Sequence, residues 1–285
     1  MLPDNLGFIF DAPLKLAPQL PAVLQDETVL TFEELDARCN QMANALRQLG
    51  VRAGDRVALM FSNDYRFLES LFGPMRLGAV SVPLNTKMGD EALAYVIADS
   101  EAQVLIANPA LAARARALAD RLPGIKHLIV AGPEPEELDG TLEYEAVLEA
   151  ASPILDRRRT DPDEICMQPY TSGSTGKPKG VLLSHGGQIW NADMMRKAKL
   201  VDHTERALIA VPLFHKNAMA GAVKPFLLAG GSVVILPGFD ARAVIQAIER
   251  YRVTYLTGVP AMYKMILAEK GVLTRHDVIF FAPCL

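Results

Sequence analysis

The sequence predicts an α/β fold of mostly parallel sheets flanked by helices. Two observations predict it. Short apolar runs rich in Val, Ile and Leu alternate with longer segments of helical periodicity along most of the 285 residues. The segments between successive runs are also long enough for a helix to return the chain, which favours parallel pairing. Half the residues are hydrophobic and 22% are charged, an ordinary balance for a soluble chain that buries a core without disulfides or metals.

The elements follow in order. Thr31-Phe-Glu-Glu34 has the form of a capping box, in which the threonine hydroxyl and Glu34 satisfy the first free amides of a helix. Leu35, Cys39, Met42, Leu46 and Leu49 then recur every three or four residues and line one face. Gly50 stops that helix, and Arg56 to Phe61 reads as a buried strand. Helical patterns follow near 64–79, 90–99, 109–122 and 141–150, separated by strand-like runs at 80–84, 103–107 and 126–131.

From 151 to 164 the chain turns polar and charged and carries two prolines, the composition of a connector. The expected organisation is a first α/β lobe over 1–155 and a second over 156–285. In the second, apolar runs at 165–171, 181–184, 207–212, 232–236 and 253–258 interleave with helical stretches at 186–199, 217–229, 240–251 and 259–270. Asp240 is placed to cap the helix after it. Val278 to Ala282 has the composition of a further buried strand, close to the last residue, Leu285. A bare apolar strand there would lack half its cover, so the expectation is a truncated domain.

Composition excludes several function classes. The net charge of −4 gives no electrostatic footprint for nucleic acid. Arg157-Arg158-Arg159 is followed at once by Asp161, Asp163 and Glu164 and reads as a solvated linker. Cys39, Cys166 and Cys284 lie far apart, without metal-ligand spacing, and read as small buried hydrophobes. Residues 1–10 have no basic stretch and are not a secretory signal. Ala218 to Leu236 is interrupted by Lys224-Pro225 and Gly230-Gly231, which fits a buried helix, a turn and a strand rather than a membrane span. The expected location is cytoplasmic.

The chemistry concentrates in Tyr170-Thr-Ser-Gly-Ser-Thr-Gly-Lys-Pro-Lys-Gly180. Its last ten positions hold four hydroxyl residues, three glycines and two lysines. Glycines let backbone amides approach an anion closely, hydroxyls add donors, and lysines add charge. Such a segment cradles a polyphosphate. It is not the P-loop of NTPases, because Pro178 stands where the second glycine belongs. No Gly-x-Gly-x-x-Gly opens a helix, so a dinucleotide fold has no support. Composition alone leaves a Ser/Gly-rich surface turn as the other reading.

Sequence resemblance separates the two. YTSGSTGKPKG resembles, over all eleven positions, the phosphate-loop motif of the adenylate-forming superfamily, which includes acyl-CoA synthetases, firefly-luciferase-like enzymes and nonribosomal adenylation domains. Further segments resemble the family in the expected order: LTFEELDARCNQMANAL, GVRAGDRVALM, FGPMRLGAVSVPLN, VPLFHKNAM and LTGVPAMY. The resemblance implies the large N-terminal domain of an adenylate-forming enzyme, incomplete at its end.

It further implies an AMP-forming carboxylate–CoA ligase using ATP, Mg2+ and coenzyme A. Thr171, Ser172, Gly173, Ser174, Thr175, Gly176 and Lys179 would bind the phosphates, with Thr175 and Lys179 catalytic and Lys177 facing solvent. His215 would gate the acyl pocket, lined also by Met219, Val259 and Pro260. No metal ligand is assigned. An amino-acid substrate needs a buried carboxylate for its ammonium, and no Asp or Glu occurs between Ala207 and Leu236. An uncharged acyl chain, fatty or small aryl, is therefore expected. The family's Tyr-Gly-x-Thr-Glu and Thr-Gly-Asp motifs and its C-terminal lysine domain are absent from the sequence. An inactive fragment, or a scaffold that keeps the fold without catalysis, is the alternative.

Overall fold

The computed structural model describes residues 2–131, 140–171 and 176–269. The expected strand at Val278 to Ala282, Cys284, and the loop residues Ser172, Gly173, Ser174 and Thr175 lie outside the described residues. The strands are β1 (Pro21–Gln25), β2 (Thr28–Thr31), β3 (Arg56–Met60), β4 (Val80–Pro83), β5 (Ala102–Ala107), β6 (His127–Val130), β7 (Thr141–Glu143), β8 (Ile165–Met167), β9 (Tyr170–Thr171), β10 (Lys179–Gly180), β11 (Leu183–Ser184), β12 (Arg206–Ile209), β13 (Ser232–Ile235) and β14 (Tyr255–Thr257).

They form a seven-stranded sheet ordered β11-β8-β4-β3-β5-β6-β7, a five-stranded sheet ordered β14-β12-β13-β1-β2, and the hairpin β9–β10. Pairing is parallel throughout both large sheets except for β2 against β1 and β11 against β8. Each sheet draws on distant stretches of chain. β1 lies parallel to β13, with Val23 opposite Val233, while β8 joins β4 through Met167 opposite Ser81.

Period-two alternation sorts the side chains. Val57 and Leu59 of β3 enter one core, and Ala58 and Met60 enter another on the opposite face. Val104 and Ile106 of β5 join the first, Leu105 and Ala107 the second. The first core also takes Val23, Leu208 and Val233 from the five-stranded sheet, so it fills the space between the sheets. Helices Phe32–Gln48 and Arg66–Leu77 supply Leu35, Met42, Leu71 and Phe72 to it. Helices Asp90–Asp99 and Ala112–Arg121 cover the outer face of the seven-stranded sheet.

The expected cap of Phe32–Gln48 is present. Thr31 Oγ1 accepts the Glu34 amide at 3.2 Å, and the Thr31 amide donates to Glu34 Oε2 at 2.8 Å, a device contributing about 1 kcal/mol. Leu35, Cys39, Met42 and Leu46 are all fully buried. The stretch 151–164 is strapped to this helix: Asn44 Nδ2 donates to the carbonyls of Ser152 and Ile154, and Asn40 Nδ2 to that of Pro153. Two of its three arginines are engaged, Arg157 with Asp11 and Arg158 with Glu164. Ala218 to Leu236 is a buried helix, a turn and β13, as its composition implies, and no described helix is long and apolar enough to cross a membrane.

Candidate functional site

The carboxyl ends of β3, β4, β12, β13 and β14 open on one cleft of about 600 Å3. Its walls come from the segments that leave those strands: Phe61–Asn63, Asn85–Lys87, Ala210–Pro212 with Phe214, His215 and Asn217, Pro237–Phe239, and Val259 with Met262. In parallel α/β sheets this is where ligands bind, because the strand ends leave polar backbone and short loops facing a crevice. Among the described residues the lining contains no Asp or Glu, and Lys87 is its one lysine or arginine. A cleft of that character favours an anion.

Asn63 holds the two sheets in register at this cleft. Its Nδ2 donates to the carbonyls of Val211 at 3.0 Å and Leu236 at 2.9 Å, and its Oδ1 accepts the Leu213 amide at 2.8 Å. The segment leading to His215 is thus fixed to the end of β3. His215 is exposed, lines the cleft, and caps the helical turn that follows, with Nδ1 accepting the Asn217 amide at 3.4 Å.

The helix over 216–229 is irregular, and the sequence explains why. Pro225 has no N–H, so the Gly221 carbonyl lacks its usual helical donor. Met219–Val223 winds as a π turn, and the Gly221 carbonyl accepts Lys199 Nζ at 2.9 Å instead. Met219 is buried and lines a second, smaller chamber of about 70 Å3, separate from the main cleft except that Phe214 borders both. Val259 lines the cleft, whereas Pro260 opens helix Pro260–Ala268 without lining either space.

The glycine-rich segment is carried by the hairpin β9–β10, in which Thr171 pairs with Lys179 and Tyr170 with Gly180. Thr171, Gly176 and Lys179 are exposed, and none is among the described residues lining the cleft. Gly176 has φ +86°, a left-handed conformation that favours glycine. At Gly180 a Cβ would meet Gln168 Nε2 at 2.7 Å and Tyr170 Cζ at 3.1 Å, so glycine lets the hairpin close over its own base. The Tyr170 hydroxyl donates to Asp99 Oδ2 at 2.7 Å, and burial together with that bond raises its pKa. Lys177 is exposed and stands 5.6 Å from the centre of the Tyr95 ring.

Met167, Pro169 and Leu183 line the small chamber together with Gln188, Lys216 and Lys224. Burial lowers the Lys224 amine to about 8, against the raising influence of Cys166, and pushes the Cys166 thiol up to about 12. Cys39 and Cys166 are free and buried, and Cys39 is likewise pushed up to about 12 by burial.

Sequence reasoning did not single out Asn63, Asn85, Thr86, Lys87 or Gln188. A usable signal exists for Asn63, Asn85 and Thr86, which are polar residues just past a buried strand. Lys224 carried a plainer one, a lone cation inside an apolar run. Among the described residues no group of three His, Cys, Asp or Glu could hold a metal ion. With no carboxylate in its lining, the described cleft does not by itself form a seat for Mg2+.

Comparison with known proteins identifies the family and the fold. A family model described as AMP-binding enzyme matches residues 10–278. A feruloyl-CoA synthase of Amycolatopsis sp is 40% identical over 259 residues, which are 90% of this chain and 48% of that protein. An indoleacetate–CoA ligase of Aromatoleum aromaticum is 35% identical over 255 residues, 89% of this chain and 49% of the relative. Among solved structures, the anthranilate CoA ligase AuaEII in complex with anthranoyl-AMP superposes with a TM-score of 0.89 at 27% identity, covering 97% of this chain and 54% of the other. The chain spans about half the length of the curated relatives it matches.

Proposed function

The chain belongs to the AMP-binding enzyme family, and from that premise we propose that it serves an AMP-forming carboxylate–CoA ligase. Acid, ATP and coenzyme A would give acyl-CoA, AMP and pyrophosphate. In the first step a carboxylate oxygen bonds to the α-phosphorus and the bond to pyrophosphate breaks. In the second, the coenzyme A sulfur bonds to the acyl carbon and AMP leaves.

The observation that carries this reading is the cleft at the strand ends, free of Asp and Glu among its described lining and bearing Lys87. Phe214 is a wall both of this cleft and of the smaller chamber lined by Met167, Pro169 and Leu183. Two anions must meet in the first step, and repulsion is the main obstacle. Amides, hydroxyls and the Lys179 ammonium around the leaving phosphates spread that charge. Thr171, Ser172, Gly173, Ser174, Thr175, Gly176 and Lys179 take this role, with Thr175 and Lys179 meeting the charge that grows as pyrophosphate departs. Mg2+ enters only as the companion of the ATP phosphates. His215 stands at the mouth as a gate, Met219 and Val259 shape the acyl side, and Pro260 starts the helix that carries Met262 to the cleft wall.

A small aryl acid suits the site better than a long alkyl chain. The inner chamber measures about 70 Å3, and the relatives named above carry feruloyl, indoleacetate and anthranilate in their names. The test is pyrophosphate release by the purified chain, with ATP, magnesium, coenzyme A and separate acids: acetate, octanoate, palmitate, benzoate and cinnamate. Acid-dependent release is expected, strongest with the aryl acids. A folded chain that releases none with any acid is a scaffold or inactive fragment, and the ligase reading of it fails.

A further inference from the structure

Lys224 is 1% exposed and borders the inner chamber. Its Nζ donates to Gln188 Oε1 at 2.5 Å, and among the described residues no carboxylate pairs with it. That is an unusual situation. An ammonium has three donors, and a buried one ordinarily faces an acid, because an unpaired buried charge is costly. Burial answers part of the cost by lowering the amine to about 8. The remaining donors face a space larger than one water molecule needs. Met167, Leu183, Phe214 and Met219 are apolar walls of the same chamber, and Lys216 borders it as a second, exposed cation, whereas Lys224 is the buried one. The π turn beside Lys224 is of a kind that recurs at functional sites.

We infer that Lys224, seated by Gln188, is the specificity-determining group of the acyl site. It recognises a hydroxyl oxygen at the end of the substrate remote from the reacting carboxylate, and so selects small hydroxyaryl acids over their unsubstituted or alkyl counterparts. The occupant's ring passes Phe214, which borders both spaces, and Met219 supplies a soft sulfur beside it. A phenol is matched to this amine: hydroxyl and amine share a proton in either direction at neutral to mildly basic pH. This inference rests on the reading of the cleft as an acid-activating site.

The test compares 4-hydroxycinnamate with 4-methylcinnamate, which has nearly the same shape, by calorimetric binding to the purified chain and by acid-dependent pyrophosphate release. The unmodified chain is expected to bind the hydroxy acid about tenfold tighter or more, the scale of a hydrogen bond to a charged group. In Lys224→Met that ratio should collapse towards one through loss of the hydroxy acid, with the methyl acid unchanged or improved. A buried unpaired charge replaced by an apolar side chain of similar length is not expected to unfold the protein. Gln188→Leu, which unseats the amine, should reduce the ratio too. A ratio near one in the unmodified chain, with acid-dependent release intact, overturns the inference and leaves the ligase reading standing. So does a ratio that survives in folded Lys224→Met. Failure of both acids to bind, with no release, sinks both.

Discussion

Asn63 Oδ1 accepts the backbone amide of Leu213 at 2.8 Å, joining residues 150 positions apart. The same carboxamide donates to Val211 and Leu236, so one side chain ties the end of β3 to the ends of β12 and β13. The cleft keeps its shape because these ends cannot drift apart without leaving buried polar groups bare.

Asn63→Leu should therefore cost about 3 kcal/mol of stability, since it strands one amide and two carbonyls. Asn63→Asp should cost at least as much at neutral pH, because its buried carboxylate would set an anionic oxygen against the Val211 and Leu236 carbonyls. Denaturant titration of the three proteins checks the order. Equal stability of Asn63→Leu and the unmodified chain would show that the tie is not structural.

Gly180→Ala should open the hairpin that carries the glycine-rich segment. The added Cβ would lie 2.7 Å from Gln168 Nε2 and 3.1 Å from Tyr170 Cζ, and Tyr170 would have to leave its bond to Asp99. Global stability should fall by only about 1 kcal/mol, because a two-stranded ribbon at the surface gives way locally. ATP binding should weaken about tenfold or more, measured by calorimetry on the folded variant. Unchanged nucleotide affinity would dissociate this hairpin from phosphate binding.

These two residues mark what the sequence carries and what it hides. The Thr31 capping box, the Asp240 cap and the apolar face of Phe32–Gln48 were legible because each is complete within a few residues. β1 and β2 were not: they are short, and β1 takes its parallel partner from β13. Asn63 is invisible for the same reason, its partners lying 148 to 173 residues away. The glycine-rich segment advertised phosphate chemistry through composition. The chamber around Lys224 is assembled from β8, β11, two helices and Phe214, and no local pattern announces it.

Lys179→Ala should lower kcat by about a hundredfold while KM for ATP changes little, if its charge is met chiefly as pyrophosphate departs. Lys179 is exposed on β10 opposite Thr171, so its removal should leave folding intact. Lys177→Ala is the control: that side chain rests near Tyr95 and should cost less than threefold, roughly the worth of an exposed cation–ring contact. Steady-state kinetics of pyrophosphate release separates the two. If kcat is unchanged in Lys179→Ala, the catalytic role belongs elsewhere in the segment.

His185 should make the fold acid-sensitive. It is fully buried, its Nδ1 accepts the Leu6 amide at 2.9 Å, and its Nε2 has no partner among the described residues. Burial lowers its pKa to about 4; Arg158 adds to the effect, while Glu164 and Asp4 oppose it. An unfolded histidine titrates near ~6.5. Between those values the unfolded chain binds a proton that the folded chain refuses, so stability is full above pH ~6.5 and falls as pH drops towards ~4. The loss across that window is about 3 kcal/mol. His185→Gln keeps an acceptor for Leu6 and removes the titration, so its unfolding midpoint should fall less steeply from pH 7 to pH 5 than that of the unmodified chain. Parallel slopes would mean that the proton's exclusion from this site does not govern acid stability.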